Sequence, residues 1–199
     1  MFDRVWEEIH AKREWGRYPK EELVRWVIRT YGDRSSEERA SIRCLDVGCG
    51  AGASSWFLAR EGFGVVAIDG SLSAIKRLNS LPERLVGDCV HLPFKDDSFD
   101  AVIDIVCVAH NELRDARCIV TEMARVLRPG GRVFSAIPAR EGTHDAYQNK
   151  GAVTLFDRYE VTDLYSREFT DISVDWTLTC EGDNYTKLWF VKAILKENT

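Results

Sequence analysis

The apolar positions fall into three regimes along the chain. In residues 1–32 they recur at helical spacing: Phe2, Val5, Trp6 and Ile9 form one stripe, and Leu23, Val24, Val27, Ile28 and Tyr31 a second. Two amphipathic helices are predicted, the second opened by Pro19, acidic in its first turn and ended by Gly32. Residues 33–41, "DRSSEERAS", are polar and read as a surface linker. Short apolar runs then take over: "IRCLDV" (42–47), "GVVAID" (64–69), "ERLVGD" (83–88), "FDAVIDIV" (99–106) and "GRVFSAI" (131–137), with helical segments between them. Their hydrophobicity is continuous rather than alternating, as in parallel strands covered on both faces, so a doubly wound α/β sheet is predicted. In the last regime Ile172, Val174, Trp176 and Leu178 alternate with polar residues, "EGDN" (181–184) supplies a turn, and "YTKLWFVKAIL" follows. That pattern predicts a C-terminal antiparallel hairpin closing the sheet.

Composition narrows the function classes. A chain of 199 residues suits one domain with a sizeable core. A net charge of −5 with 45% hydrophobic and 30% charged residues fits a globular protein and disfavours a phosphate backbone as partner. The opening "MFDRVWEEIHAKREW" has no signal-like apolar stretch, and no window is long enough to span a bilayer, so a cytoplasmic protein without membrane insertion is expected. The six cysteines include no Cys-x-x-Cys pair; reduced thiols and no metal site are expected.

The chemistry concentrates in "LDVGCGAGASSWF" (45–57). A strand ending at Val47, a glycine turn and a helix starting near Gly52 let a ligand approach the backbone without meeting a Cβ. Gly48, Gly50 and Ala53 satisfy G-x-G-x-x-G/A, and Asp69 at the end of the next strand is placed to bond ribose hydroxyls. A dinucleotide fits that much. Asp46, just before the loop, would repel a pyrophosphate but suits the ammonium group of an amino-acid moiety. Asp88, ending the third run, can accept a hydrogen bond from an adenine amino group.

As an ordered set, "LDVGCGAG", "AIDGS", "GDCVHLPF", "FDAVIDIVCVAH" and "LRPGGRVF" resemble the class I S-adenosylmethionine-dependent methyltransferases of the small-molecule, type 11 branch, over about Ile42 to Ile137. The resemblance implies a single mostly parallel, seven-stranded Rossmann-like sheet in one domain over 1–199. An N-terminal helical lid would occupy 1–32, the cofactor-binding core 42–137, a substrate-facing insert and helix 138–170, and the hairpin 171–195. Carried over by position, Asp46, Gly48, Gly50 and Gly52 would surround the methionine part. Asp69 and Gly70 would hold the ribose, Asp88 and Cys89 the adenine, and Ile105 and Val106 would touch the cofactor near its sulfur. His110 would face the transferred methyl as a general base or as pocket lining. Trp15, Arg17 and Tyr18 would cap the methionine carboxylate or anchor the lid, and His144 and Tyr147 lie where similar enzymes contact the acceptor. His10 reads as sitting on a polar helical face, and His91 as a surface or adenine-side residue.

After the fourth run there is no [DN]-P-P-[YF] and no Pro-Cys pair, which disfavours methylation of nucleic-acid bases. The expected activity is methyl transfer from S-adenosylmethionine to an oxygen or nitrogen of a small molecule, releasing S-adenosylhomocysteine. A dinucleotide-dependent oxidoreductase and a non-catalytic cofactor-binding regulator remain as alternatives. The sequence carries no signal for oligomeric state.

Overall fold

The computed structural model describes residues 3–12, 18–81, 83–143, 153–182 and 184–196. Its centre is a seven-stranded sheet of order β3-β2-β1-β4-β5-β7-β6. The strands are β1 (Arg43–Val47), β2 (Gly64–Asp69), β3 (Glu83–Val86), β4 (Phe99–Ile105), β5 (Leu127–Thr143), β6 (Phe169–Glu181) and β7 (Asn184–Leu195). β3, β2, β1, β4 and β5 pair in parallel; β7 joins β5 and β6 antiparallel. The doubly wound sheet with its terminal hairpin is as the hydrophobic pattern predicts. Successive residues of one strand feed opposite layers. Leu45, Val66, Val102 and Val133 pack with Ile119, Val120 and Met123 of α6 (Leu113–Val126) and with Val161, Leu164 and Tyr165 of α7 (Arg158–Ser166). Cys44, Ala101, Ile103 and Phe134 pack with Leu23, Trp26 and Val27 of α2 (Glu21–Tyr31) and with Phe57 and Leu58 of α4 (Ala53–Arg60).

Chain order reverses between β1 and β4, because β2 and β3 wind to one side of β1 and the chain then returns to the other. A crevice opens at such a point beyond the carboxyl ends of the strands, where the Gly48–Gly52 loop and residues 106–111 leave the sheet. The β3–β4 connection differs from expectation: residues 87–98 form no helix. Arg125 holds them instead, donating to the carbonyls of Leu92 and Phe94 and to the carboxylates of Asp96 and Glu122.

The predicted linker 33–41 contains a helix, α3 (Ser36–Ser41). Ser35 and Glu38 close a reciprocal capping box there: the Glu38 N–H donates to Ser35 Oγ, and the Ser35 N–H to the Glu38 carboxylate. β5 is far longer than the 131–137 run. Antiparallel pairing with β7 carries it through Pro138↔Leu188 to Thr143↔Thr186, so the span 138–170 begins as strand rather than as an insert. β6 forms one edge of the sheet, and its register slips between Thr170 and Ser173, where Asp171 takes φ 51°. β3, at the other edge, has four residues.

The two N-terminal helices have different places. α2 is a core helix, its Trp26 ring 5.4 Å from Phe134. α1 (Val5–Lys12) packs instead on α5 (Leu72–Lys76), at the carboxyl end of β2. Glu7 joins them, accepting from the hydroxyls of Ser71 and Ser73 at 2.6 Å each. Those hydrogen bonds hold its carboxyl down at about 2.

Candidate active site

A cavity of about 370 Å³ occupies the crevice. Of the residues predicted for the cofactor, Asp46, Gly48, Gly50, Asp69, Gly70, Asp88, Cys89, Ile105 and Val106 line it, and so does His110. β1 delivers Asp46, whose carboxylate is nearly fully buried and accepts the Ser55 hydroxyl from α4. Burial pushes its pKa up to about 7, against the lowering effect of that hydrogen bond.

The turn itself is built from left-handed glycines. Gly48 has φ +63°, and a Cβ on it would lie 2.4 Å from Cys107 Sγ; Gly50 has φ +50°. L-residues with side chains adopt this region at a cost, which explains glycine at both positions. β2 ends in Asp69, whose Oδ2 accepts the Gly50 N–H at 2.9 Å and whose Oδ1 accepts the Ser71 N–H at 2.8 Å. Burial raises its pKa and the two backbone bonds oppose that. The aspartate thus locks the loop to the next strand and keeps lone pairs for a ligand.

Residues after β4 form the facing wall. Val106 holds φ 71°, an outlier for a β-branched residue, with its N–H bonded to the Ala136 carbonyl at 2.9 Å. A 3₁₀ turn, Val108–His110, follows. Asp104, fully buried on β4, accepts the Val108 N–H at 3.1 Å and so fixes that turn. Burial lifts Asp104 to about 7, and behind it the Tyr165 hydroxyl donates to Ser135 Oγ at 2.7 Å. His110 lies against Trp6 of α1, edge to face, with ring centroids 4.2 Å apart.

Three expectations need correction. Gly52 does not line the cavity; at φ +78° it caps α4, and a Cβ there would sit 1.9 Å from Leu78 Cδ2, so close packing demands its glycine. Tyr18 is 84% exposed and outside the cavity, since the chain at that point turns its ring to solvent. His10 is not on a polar face: it is 6% exposed, lines the cavity, and its Cε1 is the nearest atom to a Cβ built on Gly50, at 3.4 Å. Burial lowers its pKa. Trp15, Arg17, His144 and Tyr147 lie outside the described residues. His91 is exposed.

The sequence reading missed Trp6, His10, Lys20, Cys107 and Asn111 in the cavity wall, and Asp104 behind it. Trp6 and His10 occupy helical positions four apart, a signal for one shared face. Asp104 could have been read as an acid inside an otherwise apolar buried strand, a placement that requires a partner.

Comparison with known proteins agrees with this geometry. Residues 45–135 match the family model described as a methyltransferase domain, Methyltransf_11. Over those residues the chain is similar to methyltransferase domains, and the sheet order and glycine loop agree with that likeness. The chain is 37% identical over 131 residues to methyltransferase GfsG of Streptomyces halstedii, covering 57% of this chain and 46% of that protein. It is 31% identical over 133 residues to probable tRNA methyltransferase 9B of Homo sapiens, covering 65% of this chain and 29% of that protein. The chain therefore spans less than half the length of either relative. Among solved structures, one described as "Conversion of a Disulfide Bond into a Thioacetal Group during Echinomycin Biosynthesis" superposes with a TM-score of 0.76 at 21% identity. That likeness covers 98% of this chain and 94% of the other, and it is a likeness of fold.

Proposed function

We propose that the protein transfers the methyl group of S-adenosylmethionine to an oxygen or nitrogen of a small-molecule acceptor, by in-line displacement, with S-adenosylhomocysteine as product. The observation that carries this reading is a single cavity holding Asp46, Asp69 and Asp88 at the ends of three strands around a glycine loop. In it, Asp46 meets the cofactor ammonium, Asp69 the ribose hydroxyls and Asp88 the adenine amino group, while Ile105 and Val106 border the sulfur. α1 acts as a lid, closing the crevice with Trp6 and His10 and pinned by Glu7 to the serines of α5. Only α1 of the N-terminal pair takes that role.

The sulfonium carries an already activated methyl, so the protein contributes alignment, exclusion of water and, for a hydroxyl acceptor, a base. His110, set against Trp6 on the Asp104-fixed turn, supplies that base in this reading, which its ring contact and its cavity position support. A small acceptor is favoured by the acidic net charge and by a cavity that is partly roofed by α1. The tRNA methyltransferase likeness makes RNA the reading to test against. The protein is incubated with S-adenosylmethionine and either pooled small metabolites or bulk tRNA, and S-adenosylhomocysteine release is measured. Release with metabolites alone supports the proposal; release with tRNA alone replaces its acceptor, and release with neither, despite cofactor binding, points to a non-catalytic role.

A further inference from the structure

α1 buries a polar ring that its own packing leaves unsatisfied. His10 is 6% exposed, and its Nδ1 is sealed from solvent without a hydrogen-bond partner among the described residues. Another edge of the ring faces the glycine loop: a Cβ built on Gly50 would lie 3.4 Å from Cε1 and 3.9 Å from Nε2. Gly50 is tied in turn to Asp69, whose Oδ2 accepts its N–H at 2.9 Å. His10, Gly50 and Asp69 all line the cavity, so α1 brings an imidazole to the loop that the β2 carboxylate holds. The joint between α1 and α5 does not call for it, because Glu7 makes that joint with Ser71 and Ser73. An apolar side chain beside Trp6, whose ring lies 6.1 Å away, would fill the same space without the cost of a buried, unpaired nitrogen. What the histidine adds is a polar group for something the cavity receives.

We propose that His10 is a cofactor ligand carried by the lid, its Nε2–H donating to a ribose hydroxyl oxygen whose own proton goes to Asp69. This rests on the cofactor reading above. A hydroxyl both donates and accepts, whereas an ionised carboxylate only accepts, so Asp69 leaves the hydroxyl lone pairs open to a second group. Burial lowers the pKa of His10; the Asp69 and Glu7 carboxylates oppose that and Arg77 adds to it, which leaves a neutral ring with one N–H. On Nδ1 that proton would be a sealed donor with no acceptor, an arrangement rare in folded proteins. On Nε2 it lies toward the loop. The contact has a further reach, because Trp6 on the same helix stands against His110 at 4.2 Å: a ribose in place steadies the wall that the acceptor meets.

The test uses the whole chain. S-adenosylhomocysteine, its 2′-deoxy and 3′-deoxy analogues, and 5′-methylthioadenosine are titrated by calorimetry into the wild type and His10→Phe. The variant should bind S-adenosylhomocysteine about tenfold more weakly. It should lose as much with 5′-methylthioadenosine, which keeps the ribose and lacks the amino-acid part, and almost nothing with the deoxy analogue that lacks the contacted hydroxyl. The wild type gives a reading that needs no variant. In 15N-labelled protein, long-range spectra of the sequentially assigned His10 ring should show a bare Nδ1 and a protonated Nε2 whose proton exchanges slowly once S-adenosylhomocysteine is bound. Unchanged affinity in the variant, an equal loss with all four ligands, a loss confined to ligands with the amino-acid part, or a ring protonated on Nδ1 overturns the proposal. Failure of the wild type to bind S-adenosylhomocysteine at all overturns the cofactor reading, and the ribose contact with it.

Discussion

Asp46 offers a quantitative check on how the site holds its cofactor. Its carboxyl, buried at the end of β1 and bonded to Ser55, titrates at about 7 in the unliganded protein. Ligand ammonium stabilises the ionised form, so binding must expel the proton wherever Asp46 is protonated. At pH 6 about a tenth of the side chains are ionised and at pH 8 about nine tenths. Affinity for S-adenosylhomocysteine should therefore weaken by roughly tenfold, about 1.4 kcal/mol, between pH 8 and pH 6. Calorimetry at both pH values, in two buffers of different ionisation enthalpy, reads the affinity and the proton count together. Close to one proton should be released per ligand at pH 6. Asp46→Asn keeps an acceptor for Ser55 and removes the titration, so its affinity should be lower but nearly flat with pH. Asp69 and His10 also line the cavity, and this variant separates their contributions from that of Asp46. Equal wild-type affinity at the two pH values without proton release, or the same slope in the Asn variant, would refute the assignment.

Other outcomes are equally specific. Asp69→Ala removes the acceptor proposed for ribose and the observed acceptor for the Gly50 and Ser71 N–H groups; calorimetric affinity should drop roughly ten- to a hundredfold. Gly52→Ala forces a left-handed residue into Leu78 and should lower stability by about 1–3 kcal/mol in a denaturant melt, although Gly52 does not line the cavity. Glu7→Ala unpins α1 from α5 and should speed S-adenosylhomocysteine release severalfold in stopped-flow displacement, with little change in the melting temperature. His110→Gln should preserve ligand affinity and, for a hydroxyl acceptor, cut turnover by roughly a hundredfold or more.

The parallel core was legible because strands buried on both faces must be apolar throughout, and the hairpin because a half-exposed strand must alternate. Chain spacing also located Asp46, Asp69 and Asp88, since each ends a strand whose direction the winding fixes. What escaped depends on contacts between distant segments. Nothing in residues 138–143 announces a strand; β7 recruits them by offering a ladder. His10 looked like a surface residue because its helix is short and its apolar stripe weak, and only the packing of α1 on α5 turns it toward Gly50. Gly52 followed the spacing of a ligand glycine, yet its reason is Leu78, 26 residues away in sequence. The α3 capping box was a further local signal overlooked, a serine followed three residues later by glutamate.

An open sheet leaves two rows of backbone donors and acceptors unpaired, and each is a template on which another chain can add a strand. Here the two margins are guarded by different means. β3 is too short to offer much of a template. β6 is long and exposes Trp176 and Leu178, an attractive landing strip for an incoming chain. Its kink at Asp171 turns the donor row out of line, and the Asp175–Lys192 ion pair puts charge on the same strand. Resistance to an added strand along this margin therefore rests on Asp171 and the Asp175–Lys192 pair, independently of anything that happens in the crevice on the far side of β5.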